Sequence, residues 1–200
     1  MHIKLVDIHN CRARAHDFAH QYSLQFIGSD DPEKSVDRLI DIYTSYLARP
    51  RPQILELDID FKESAVYSGV FIKDGHHVDI CIAKNLNLCW KRFAIAKEVF
   101  HSVLDEEEFR NMNINEHLQS VLNDFPSEDA KPNRSVASEW LTEMATMEFL
   151  FPYEKRKSEL SASAHGQLNY RNIAQKYRIP QVKVERYLSA EYMENLGKTI

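Results

Sequence analysis

The chain predicts an α+β fold: a small sheet containing a hairpin, packed on helices and followed by a helical C-terminal extension. Three observations carry this. Apolar residues recur at helical spacing before residue 50 and after residue 92, they alternate with acids between Leu55 and Phe61, and an Asp74-Gly75 pair separates two apolar runs. Helices repeat about every 3.6 residues and strands every two, so a change of period marks a change of backbone state. With 44% hydrophobic content, 200 residues suffice for one sizeable core, and one domain with appendages is expected over two independent ones.

The elements follow in order. Between Cys11 and Phe26, the residues Ala15, Phe18, Ala19, Tyr22 and Phe26 share a helical face, with Asn10 as the expected N-cap. Asp31-Pro32-Glu33 reads as a cap, a first-turn proline and an acid. It predicts a second helix with Val36, Leu39, Ile40, Tyr43 and Leu47 on one face, stopped by Pro50-Arg51-Pro52. Leu55, Leu57, Ile59 and Phe61 alternate with Glu56, Asp58 and Asp60, as in a half-buried strand. Val66 to Ile72 and His77 to Ile82 are two further strands around the turn Lys73-Asp74-Gly75-His76.

From Phe93 the period becomes helical. Phe93, Ala96, Phe100, Val103 and Leu104 fall on one side, and Lys97, Glu98, His101 and Asp105 fall together on a polar arc. Asp105-Glu106-Glu107-Glu108 and residues 125–135 read as a solvated helix end and a loop, and a further helix is expected from Val136 to Phe151, stopped by Pro152. The remainder is helical in pattern and locally basic, with Arg171, Lys176, Arg178, Lys183 and Arg186 against Glu185 alone. Within it, Leu168 to Leu188 has the spacing of two short helices around a tight turn, as in a helix-turn-helix unit.

Composition narrows the function classes. A net charge of -5 exerts no overall pull on nucleic acid. There is no apolar run approaching the roughly 18 residues of a membrane span and no signal-peptide core, so a cytoplasmic address without membrane association is expected. Cys11, Cys81 and Cys89 are odd in number and widely spaced, which argues against a disulfide framework and against a thiolate zinc site.

The stretch Lys97-Glu98-Val99-Phe100-His101 has the form of the zinc-protease motif His-Glu-x-x-His with its first histidine replaced. That motif sets two imidazoles one helical turn apart with a general-base carboxylate beside them. An ammonium at neutral pH has no lone pair for a cation, and its charge opposes the metal. His16-Asp17-Phe18-Ala19-His20 also has ligand spacing, but two histidines at i and i+4 arise equally on a solvated face, which is the reading taken here. His76 and His77 are expected in an exposed turn, and His117 and His165 have no partner at ligand spacing.

Arg92-Phe93-Ala94-Ile95-Ala96-Lys97-Glu98-Val99-Phe100-His101-Ser102-Val103-Leu104 resembles the Arg-Phe-x-x-Ala-His-Glu-x-x-His-x-x-Leu core of the ImmA/IrrE family of metallopeptidase-like proteins. Upstream, Tyr67-Ser68-Gly69-Val70-Phe71-Ile72 and Val78 to Ile82 resemble the family's hairpin, and downstream Glu139-Trp140-Leu141 through Pro152 resembles its glutamate-bearing helix. The resemblance spans Ile54 to Pro152. It implies a zincin-like metallopeptidase domain over residues 1–152, with N-terminal helices in 1–50 and the core in 51–152, and a helical extension over 153–200.

By position it implies Glu98 as general base and His101 and Glu139 as metal ligands, with Lys97 in the place of the missing ligand. Zinc is the implied cofactor, and Lys97 leaves two of the three protein ligands usual in a catalytic site. Asp105, one turn beyond His101, is the remaining candidate for a rearranged ligand set. Family members act on helix-turn-helix repressors. The expectation is therefore a degenerate member with impaired or lost proteolysis that works by binding such a partner. The alternatives are an active zinc endopeptidase with a rearranged ligand set and a DNA-binding regulator that uses the basic tail.

Overall fold

The computed structural model describes residues 5–26, 32–58, 69–74, 77–104, 134–163 and 168–197. The element order is α1 (Leu5–Gln25), α2 (Val36–Tyr46), β1 (Gln53–Leu57), β2 (Gly69–Asp74), β3 (His77–Ala83), α3 (Leu88–Val103), α4 (Arg134–Leu150), α5 (Tyr153–Ala162), α6 (Tyr170–Tyr177), α7 (Gln181–Tyr187) and α8 (Ala190–Gly197).

The three strands form one sheet in the order β1-β3-β2. β2 and β3 pair antiparallel from Gly69 opposite Ile82 to Asp74 opposite His77, as an expected hairpin, but Lys73 and Asp74 extend β2 instead of forming the turn, and Gly75 and His76 lie outside the described residues. β1 pairs parallel with β3, Gln53 opposite Asp79 through Leu57 opposite Ala83. The central β3 is the apolar strand, with Val78, Ile80, Ile82 and Ala83 buried. α3 lies against β2 and β3, and α4 lies against both α1 and α3. α4 is buried almost all round from Leu141 to Leu150, so it is the axis of the molecule.

Several boundaries and faces depart from the pattern reading. α1 begins at Leu5, so Asn10 lies inside the helix and is not its cap, although Ala15, Phe18 and Tyr22 form the expected buried face. α2 begins at Val36 with Ser35 as N-cap, whose hydroxyl accepts from the Arg38 N–H at 3.4 Å; Pro32 and Glu33 precede the helix. In β1 it is Ile54 that packs against the core, while Leu55 is exposed; Ile59 and Phe61 lie outside the described residues. His77 opens β3 and does not sit in the turn. α3 starts at Leu88, earlier than its period suggests, because the Asn87 side chain accepts from the Trp90 N–H at 3.1 Å.

The polar arc of α3 carries the candidate site. Lys97 and Glu98 are each only 3% exposed, so this arc faces protein and not water. The tail belongs to the same core: Ile173, Ala174, Tyr177, Ile179, Val184, Tyr187 and Leu188 are buried in one cluster with Phe93, Phe100 and Phe149. α6 and α7 are joined through Arg178, which takes a left-handed conformation at φ 52°, and Pro180, in keeping with the expected helix-turn-helix-like unit. No helix among the described residues is long and apolar enough to cross a membrane. All three cysteines are free, and Cys11 Sγ donates to the Leu141 carbonyl at 2.9 Å.

Candidate functional site

Lys97, Glu98 and His101 are presented by α3, and Glu139 by α4, which crosses above them. Helical periodicity places positions 97, 98 and 101 on one arc, and α4 brings Glu139 to it, so the four residues singled out from the sequence form one cluster in which Lys97 and Glu98 are buried and His101 and Glu139 partly so. Lys97 Nζ donates to Glu139 Oε2 at 2.7 Å and lies 3.6 Å from Glu98 Oε1. His101 Nε2 lies 3.0 Å from the other oxygen, Glu139 Oε1. One carboxylate therefore receives a cation on each oxygen.

The protonation of the cluster follows from its hydrogen bonds. The Thr142 hydroxyl donates its single proton to the Ser138 carbonyl at 2.7 Å, so its oxygen accepts from His101 Nδ1, 3.2 Å away. Nε2 must also carry a proton to bond an ionised Glu139. His101 is then an imidazolium. Burial by itself would lower the pKa of His101, but Glu139 and then Glu98 outweigh it and hold the pKa above the ordinary histidine value. Lys97 behaves alike: burial opposes its charge, yet Glu139 and Glu98 raise its pKa above that of a free lysine, so it is an ammonium. For Glu139, burial opposes ionisation, and Lys97 and His101 hold its carboxyl well below the usual range. The charges of Lys97, His101 and Glu139 compensate one another, the condition under which charge is tolerated away from water.

Glu98 differs from Glu139. Its Oε1 is buried with no hydrogen-bond partner among the described residues. The backbone of β2 passes close to it, and a Cβ on Gly69 would meet Glu98 Cγ at 3.1 Å and the Cys81 carbonyl oxygen at 3.2 Å. Gly69 is thus required by a close approach of strand to helix, and a side chain there would push on the Glu98 stem.

These residues do not fit a zinc ion as they stand. Zinc needs donors with open lone pairs, usually three from the protein. Here one position is an ammonium, the imidazole is protonated on both nitrogens, and both Glu139 oxygens already accept from cations. No group of three or more His, Cys, Asp or Glu side chains suited to a metal occurs among the described residues. Asp105, the candidate for a rearranged ligand set, lies outside the described residues, as do His117 and His165. On α1 the His16 side chain is 58% exposed, and its Nε2 lies 3.8 Å from Glu148 Oε2; His20 is exposed.

Pattern reading missed the residues that surround the cluster. Thr142 and Glu143 lie three and four positions after Glu139, a spacing that puts them on the same helical face and was there to be read. Glu143 takes Lys183 Nζ at 2.6 Å on one oxygen and Arg186 Nη1 at 3.2 Å on the other, so it fastens α7 to α4. Lys183 Nζ also lies 5.2 Å from the Phe93 ring centroid. Arg92 is a second fastener. Its Nε donates to the Arg178 carbonyl at 3.2 Å and its Nη2 to the Lys34 carbonyl at 2.7 Å, joining the turn between α6 and α7 to the segment before α2. Of the other basic tail residues, Lys176 pairs with Glu159 at 2.6 Å and Arg178 with Glu33 at 3.4 Å.

No protein-family model and no curated protein matches the chain. Among solved structures it is similar to a Mycobacterium tuberculosis transcriptional regulator, at 14% identity and a TM-score of 0.47. The match covers 89% of this chain and half the length of that protein.

Proposed function

We propose that this protein is a degenerate ImmA/IrrE-like metallopeptidase that has exchanged its metal for an internal cation. It works by binding a regulatory protein partner of the helix-turn-helix repressor kind, and not by cutting it. The observation that carries this reading is the ammonium of Lys97 lying 2.7 Å from Glu139 Oε2, at the position where the resembled motif has a ligand. Glu139 thereby compensates a charge that the protein itself supplies. Glu98, which would act as general base on a metal-bound water, is instead 3.6 Å from an ammonium. The tail supports a packing role over a DNA role, since Lys176, Arg178, Lys183 and Arg186 each face a carboxylate within the protein.

The test is metal content. After equilibration with limiting zinc, the wild type is expected to hold no stoichiometric metal by plasma mass spectrometry. Lys97→His, which restores the third donor, is expected to gain one zinc per chain and to lose it again in combination with Glu139→Ala. One zinc per wild-type chain, released by Glu139→Ala, together with repressor cleavage blocked by Glu98→Gln, would overturn the proposal in favour of an active zinc endopeptidase.

A further inference from the structure

Away from the ion cluster, an open groove of about 490 Å³ runs between the start of α3 and the α6-α7 unit. Its apolar lining includes Leu88 and Trp90 from α3, Ala174 from α6, Ile179 from the turn and Val182 from α7. Leu88 is 57% exposed and Val182 54%, which is unusual for large aliphatic side chains that share one concave surface. Charge is distributed unevenly around it. The chain has more acids than bases, yet no carboxylate lines this groove, and its single ionised side chain is Arg171.

The polar groups on the rim differ in availability. Asn87 spends its side chain on the Trp90 N–H, and Gln181 donates to Glu185 at 2.7 Å. Arg171 and Gln175 make no side-chain hydrogen bond or ion pair among the described residues. The start of α3 also opens here and adds the partial positive charge of a helix N-terminus. An apolar floor with an uncommitted guanidinium at its edge is complementary to a bulky apolar side chain lying next to a carboxylate.

We infer that this groove docks a protein segment that presents a bulky apolar anchor beside an acidic residue, the anchor lying between Leu88 and Val182 and the carboxylate reaching Arg171. The inference rests on the reading that the protein acts by binding, and it gives that activity a surface distinct from the ion cluster. Lys183 and Arg186 of α7 pair with Glu143, and Val182 stays exposed beside Gln181, whose amide is held by Glu185.

A random peptide library displayed on phage and selected on the immobilised full-length protein tests this without a known partner. The expected result is enrichment of sequences in which Leu, Phe or Trp lies within a few positions of Asp or Glu. A synthesised winner should bind Leu88→Asp and Val182→Asp variants at least about tenfold more weakly, and Arg171→Glu more weakly than Arg171→Lys. All three positions are exposed, and an unchanged melting temperature confirms that each variant is folded.

Enriched peptides that are basic, or whose affinity none of these substitutions alters, would overturn the groove while leaving the binding reading intact. Failure of the wild type to enrich any sequence would likewise overturn the groove, while the binding reading stands or falls on metal content. A wild-type dimer in analytical ultracentrifugation that Val182→Asp dissolves would overturn the inference by assigning the groove to a second copy of the chain.

Discussion

α4 carries a buried carboxylate toward each end, and the two are compensated in different ways. Glu139 receives two cations from a single helix, Lys97 and His101 of α3, one on each oxygen. Glu148, with its side chain fully buried, pairs with Arg156 of α5, which is fully buried as well, and accepts from the Tyr153 N–H at 3.4 Å. The Arg156 guanidinium is boxed by aromatic rings, with centroids 5.8 Å away for Tyr153, 5.6 Å for Tyr187 and 5.9 Å for Tyr192. Between these ends, Glu143 takes Lys183 and Arg186 from α7.

A glutamate on this helix therefore finds a cation whether or not its surroundings match a catalytic motif, because an unpaired charge at such depth is too costly to keep. Ion pairing at Glu139 is in this sense ordinary. What sets it apart is that its cation occupies a position where a metal ligand is expected, and the pairs at Glu148 and Glu143 serve as internal controls for that difference.

The comparison breaks most severely at Glu148. Arg156→Met should destabilise the protein by about 3–5 kcal/mol in urea denaturation, since it leaves a fully buried carboxylate with only the Tyr153 N–H and the exposed His16 near it. Adding Glu148→Leu should recover much of that loss. Lys97→Met should cost less, about 1.5–3 kcal/mol in the same assay, because His101 continues to donate to Glu139. An equal or larger loss at Lys97 would make the two ends of α4 energetically alike and contradict the contrast. Glu143→Gln should cost about 1 kcal/mol, since Arg186 is half exposed, and the loss should appear as faster amide exchange confined to α7 and its neighbours.

The smallest expected effect is a pH dependence at the Glu139 end. His101 has a pKa raised in the folded state, so its contribution to stability is fully present below the ordinary value of 6.5 and is lost as pH rises through the folded pKa. Glu139 has a lowered pKa, so its contribution is present above the ordinary 4.5 and is lost as pH falls through the folded value. Stability should therefore decline as pH rises above 6.5 and through the folded pKa of His101, and His101→Gln should flatten that limb in thermal melts across the pH range.

Much of the site was legible beforehand. Lys97, Glu98 and His101 share an arc because a helix has a fixed period, and Glu139 was identified by resemblance. The apolar faces of α1 and α2 were legible for the same reason, whereas their starts were not. Asn10 and Asp31 are good caps by type, but α1 extends to Leu5 and α2 uses Ser35, which also donates its backbone N–H to the Tyr22 hydroxyl at 2.8 Å. A cap is chosen by local hydrogen bonding together with what the chain packs on, and only the first of these can be read from residue types. The depth of Lys97 was not legible, since residue types along one helix do not show how closely a second helix covers them.

By itself, the sequence determined the alternation of helix and strand, the presence of a hairpin, and the sharing of one helical arc by an ammonium, a carboxylate and an imidazole, because these follow from periodicity and from the chemistry of single side chains. Only the tertiary structure decided which carboxylate answers which cation, that His101 is doubly protonated through Thr142, and that Lys176, Arg178, Lys183 and Arg186 of the basic tail each pair with a carboxylate of the protein. Those outcomes depend on residues brought together from α3, α4 and α7, and in a buried setting the energy of a charge is set by its neighbours in space and not by its neighbours in the chain.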